Sequence, residues 1–107
     1  MDIDAIIREL KGTLLNTLGD HYDGFKKATK ADLEAFLKAS EGKLSRWTML
    51  LANGDLSIDD YEWLVQSQKD LMEMKALQQM GISKISLGHF KNKVVKTLVG
   101  IIKGLLL

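Results

Sequence analysis

Between residues 33 and 51 one spacing decides the backbone. Leu33, Leu37, Ser40, Leu44, Trp47 and Leu51 stand at steps of 4, 3, 4, 3 and 4, with Phe36 beside them. A strand turns alternate residues to opposite faces, so it would scatter these positions. A helix of 3.6 residues per turn stacks them into one seam. Three heptads are too few for a long coiled coil and suit a helix of a four-helix bundle. The rest of the chain agrees. Proline is absent, and 18 leucines outnumber 4 valines, which favours helix over sheet. The expected fold class is all-α, a compact bundle of about four helices with short loops. Residues 1–107 are expected to form a single helical domain, since that length is typical of one domain. Leu, Ile, Val and Phe number 33, too many for a disordered chain. Cysteine is absent, so the core must hold without disulfides.

The four helices have local start and stop signals. The first begins near Asp2, a capping residue, and carries Ile3, Ile6, Ile7, Leu10, Leu14 and Leu18 on one stripe. Gly19 is a candidate stop. The stretch from Gly19 to Gly24 reads either as a loop or as a poor continuation. Thr29 with Asp32 resembles a capping box and predicts the second helix start, and Asn53-Gly54 predicts its end. Ser57 with Asp60 predicts a second capping box. The third helix should then run to Gly81, with Ile58, Tyr61, Leu64, Val65, Leu71 and Met72 on one face. Trp63, Met74 and Leu77 lie off that face, which implies a second neighbour. Met72, Met74 and Met80 read as core filling or as an adaptable surface. The fourth helix should run from Ser83 or Ser86 to the C-terminal end.

Few motifs carry chemistry. The segment from Asn53 to Tyr61 resembles the back half of an EF-hand calcium loop: Gly54, Leu56, Ser57, Asp60 and Tyr61 all match. The resemblance implies a calcium site, but the first and third ligand positions would be Met49 and Leu51. Neither offers oxygen, and calcium takes roughly six to eight oxygen ligands. A helix cap and a tight turn explain the same letters. Asp20, His21, Tyr22 and Asp23 include ligand types for a metal, yet adjacent residues rarely converge on one ion, and a solvated turn is expected. No nucleophile elbow, phosphate loop or zinc-binding helix motif is present. No catalytic residue, metal site or cofactor is therefore expected, and the chain is not expected to be an enzyme.

Charge separates along the chain. The whole sequence has formal net charge +1, but residues 54–80 carry six acids and two lysines, while residues 81–107 carry five lysines and no acid. The acidic third helix would repel phosphate, and the fourth lacks arginine. Sequence-specific nucleic-acid recognition is not expected. The acidic N-terminus does not look like a signal peptide, and the apolar end is too short for a span. A cytoplasmic location is the default expectation.

The C-terminal helix is the candidate interaction surface. At 100° per residue Phe90, Val94, Leu98, Ile101, Ile102 and Leu105 share an apolar half. Lys93, Lys96 and Lys103 share the other half with Gly100 and Gly104. The apolar half has three destinations: the chain's own core, a second copy, or a bilayer interface. The expected role is a small non-enzymatic structural or protein-interaction module that self-associates as a homo-oligomer. The alternative is a membrane-surface protein acting through this basic amphipathic helix.

Overall fold

The computed structural model describes residues 2–18 and 24–107. It contains α1 (Ile3–Leu18), α2 (Lys26–Ala52), α3 (Ile58–Ser67), a 3-10 turn at Lys69–Leu71, α4 (Lys75–Gln79) and α5 (Lys84–Leu106). Among the described residues there is no strand. Helix α2 has 27 residues, about 40 Å at 1.5 Å per residue, and matches the longest extent of 42 Å. Helices α1 and α3 each pack on both long helices, α2 and α5, while α4 packs on α2. The fold is thus the all-α bundle that the seam predicts.

Local signals account for most boundaries. The Asp2 carboxylate accepts from the Ala5 amide at 3.2 Å and caps α1. Ile7, Leu10, Leu14 and Leu18 of its stripe are buried. Helix α2 closes in a Schellman turn: Gly54 at φ +81° lets its own amide reach the Leu51 carbonyl and the Asp55 amide reach Leu50. Gly81, at φ +89°, closes α4 with the same pair of bonds, to Gln78 and Leu77. Ser57 caps α3 by accepting from the Asp60 amide at 3.1 Å. Ser83 caps α5 by accepting from Ser86 at 3.1 Å. The stretch from Gly19 to Asp23, and with it the expected stop at Gly19, lies outside the described residues.

Three expectations need correction. The first concerns Thr29 and Asp32. Helix α2 starts at Lys26, so Thr29 lies inside it, and its hydroxyl donates to the Phe25 carbonyl at 3.1 Å. Asp32 is buried and turned elsewhere: its two oxygens accept from the amides of Ala76 and Leu77 at 3.0 and 2.9 Å. It caps α4, more than forty residues away, and not its own helix.

The second correction is to the third helix, which breaks after Ser67. A continuous helix to Gly81 would have placed Met72 beside Tyr61 and Val65 but left Met74 and Leu77 on the outside. The chain instead makes a 3-10 turn, then an extended step in which Met72 and Met74 point inward and Glu73 outward, then α4. Met72, Met74 and Leu77 are all buried, and Leu71, assigned to the buried face, is exposed. Burying an apolar side chain contributes about 1.5–3 kcal/mol. A helical hydrogen bond contributes about 1 kcal/mol net, and the 3-10 turn and α4 retain several. Re-phasing the chain to bury Met74 and Leu77 therefore outweighs the broken helix. The third correction is smaller: Trp47 is half-buried against the core, whereas Leu37, Leu44 and Leu51 lie within it.

Two substitutions check this account in urea unfolding. Leu44→Ala should destabilise by about 2–5 kcal/mol, as expected for a buried leucine, while Lys43→Ala on the exposed side should change the midpoint little. Asp32→Ala should destabilise by about 1–3 kcal/mol, because it leaves two amides of a buried turn without an acceptor. In hydrogen exchange its largest loss of protection should fall at Ala76 and Leu77, and a loss confined to the first turn of α2 would contradict the long-range cap.

Candidate functional site

The structure divides the residues proposed for the C-terminal surface. Phe90, Val94, Leu98 and Ile102 enter the core formed with α1 and α3. Ile101 is half-buried, and Leu105 is exposed near the end of α5. Lys93, Lys96 and Lys103 are exposed. Of the three destinations for the apolar half, most of it goes to the chain's own core. What α5 presents to solvent is the opposite line, His89, Lys93, Lys96, Gly100 and Lys103, at steps of 4, 3, 4 and 3.

An open groove of about 640 Å³ runs between α2 and the segment from Gln68 to Gln79. Ala31, Ala35 and Ala39 line one side, Leu71 and Met72 the other, with Lys43 and Lys75 at its margins. Several of its polar groups already have partners. The Lys43 ammonium donates to Gln68 Oε1 at 3.3 Å, Lys75 pairs with Glu73 at 3.0 Å, and Asp32 holds α4. The arrangement offers apolar surface, with the Ser40 hydroxyl also among the lining residues.

The EF-hand-like segment has a structural use for its letters. Gly54 closes α2 and the Ser57 hydroxyl holds the first turn of α3. Among the described residues no three His, Asp or Glu side chains converge as a metal site. Asp20, His21, Tyr22 and Asp23 lie outside the described residues. Also among the described residues, no helix is long and apolar enough to cross a membrane.

Among the described residues, Tyr61 and Thr48 form the one buried hydroxyl pair, at 3.1 Å between α3 and α2. Burial pushes the Tyr61 phenol above its ordinary pKa, and the bond to Thr48 partly offsets this. The pair registers α3 against α2. It is sealed from solvent, with both residues fully buried.

Trp63 departs from the second neighbour expected for the off-face residues: Met74 and Leu77 are buried, and Trp63 is not. On a 3.6-residue helix it falls directly opposite the midline between Tyr61 and Val65, the two buried residues of α3. It is 70% exposed. Asp59 and Asp60, one turn earlier, are exposed on either side of it. The signal was available in the sequence, since Trp63 stands off the apolar face. Only the break after Ser67 shows that no second internal neighbour covers it. Comparison of the chain with protein-family models, with curated proteins and with solved structures finds no match.

The raised pKa of Tyr61 has a measurable sign. The fold favours the protonated phenol, so its contribution is complete below about pH 10, the unfolded value, and is lost as pH rises through the folded value. The urea midpoint should therefore fall above about pH 10 more steeply in the native chain than in Tyr61→Phe. At neutral pH that substitution should cost about 1 kcal/mol, because the buried Thr48 hydroxyl loses its partner. Parallel alkaline profiles for the two proteins would contradict the burial of the phenol.

Proposed function

We propose that this chain is a small non-enzymatic helical module that works by protein interaction and associates with a second copy of itself. The supporting observation is Trp63, aimed away from the core on a well-capped helix. An indole buries about 150–250 Å² when covered. At roughly 25 cal/mol per Å² that is a few kcal/mol. Tryptophan is among the residues that most often anchor protein interfaces. The groove beside α2 supports the same reading, because Ala31, Ala35, Ala39 and Leu71 give it an apolar lining. The membrane-surface alternative draws on the α5 lysines. The apolar half of α5 that would enter a bilayer is instead packed on α1 and α3, which favours a protein partner.

The test is the native mass. Sedimentation velocity over a micromolar concentration range should give a mass above one chain that falls on dilution. A mass of one chain throughout the range would refute self-association.

A further inference from the structure

We propose that the Trp63 face of α3 docks onto the lysine face of α5 in a second copy of the chain, and that the reverse contact closes a two-fold dimer. This rests on the self-association reading and names its surfaces. The α3 face is an exposed indole with Asp59 and Asp60 on either side of it one turn earlier. The outward line of α5 carries Lys96 and Lys103, and residues 81–107 contain no acid. The two faces are therefore complementary in charge, which fixes register and partner choice at an interface. A lysine ammonium held over an indole face adds a cation–π attraction.

Gly100 fits the same arrangement. It sits between Lys96 and Lys103, within a helix whose interior would favour alanine. A Cβ at this position would meet nothing within 4 Å in the chain, and its φ is not positive. Neither the backbone nor the chain's own packing requires glycine there. The result is a flat place between two lysines where a planar ring can lie close to the helix.

Topology supplies the symmetry. Helices α3 and α5 pack against each other, so the two faces lie on adjacent elements, and because each points away from its own buried side they cannot meet within one chain. A two-fold axis beside them sets α3 on the partner's α5 and α5 on the partner's α3. The same patch is then used twice, as an isologous dimer requires.

Charge reversal tests this, read by sedimentation velocity with the far-UV circular dichroism of helix as the fold control. Lys96→Glu with Lys103→Glu should reduce the mass to one chain. Asp59→Lys with Asp60→Lys should do the same. An equimolar mixture of the two reversed chains should regain the mass of two chains, because each α3 then again faces an α5 of opposite charge. Trp63→Ala should lose the dimer with an unchanged far-UV helical signal, and it serves if a reversed chain unfolds. If the unmodified chain is a dimer and these variants remain dimers, the assigned surfaces are wrong while self-association stands. If the variants are single chains and the mixture stays so, the pairing of α3 with α5 is wrong. A single-chain mass for the unmodified protein removes both the reading and this inference.

Discussion

A single carboxylate decides the route of the chain's middle third. Asp32 on α2 accepts the amides of Ala76 and Leu77, so a short helix can start inside the molecule with its first donors satisfied. An unpaired buried amide costs about as much as a lost hydrogen bond. Without that acceptor the break after Ser67 would leave orphan donors against α2. With it, the chain can leave α3, turn, and present Met74 and Leu77 to the core. The segment is further tied down on its two sides, where Lys43 reaches Gln68 and Lys69 reaches Asn92.

The same economy runs through the interior. Thr29, Asp32, Ser40 and Thr48 are the buried polar residues of the described chain, and all four lie on α2. Among the described residues no fully buried side-chain nitrogen or oxygen lacks a partner. Helix α2 is thus both the longest element and the one whose polar groups orient its neighbours: Asp32 orients α4 and Thr48 orients α3. Surface ion pairs such as Lys11 with Glu41 add little by comparison, because both partners remain solvated.

The candidate surface was partly legible. The wheel of α5 set an apolar half against a lysine half, because a helix maps sequence spacing directly onto direction, and four of the six apolar residues named there are buried. It could not say which half was the surface of interest. Phe90, Val94, Leu98 and Ile102 carry the same letters whether they meet α1, a second copy or a lipid, since apolar burial is non-directional. Trp63 was harder to place. Off-face apolar residues at positions 63, 74 and 77 looked alike in sequence, yet the structure buries Met74 and Leu77 and exposes Trp63. The difference comes from the helix break between them.

What the sequence determined alone is what local physics determines. Helical periodicity, the caps at Asp2 and Ser57, and the stops at Gly54 and Gly81 depend on residues within a turn or two of one another. They appear where their spacing placed them. What only the tertiary structure decided is every choice that pits a local bond against a distant one. Thr29 and Asp32 formed a plausible local cap, but α2 starts earlier and the carboxylate serves a helix far along the chain. Residues 57–81 formed a plausible continuous helix, but burial of Met74 and Leu77 outweighed a few backbone bonds. Both outcomes turn on contacts more than forty residues apart or on a core whose shape no window of sequence contains.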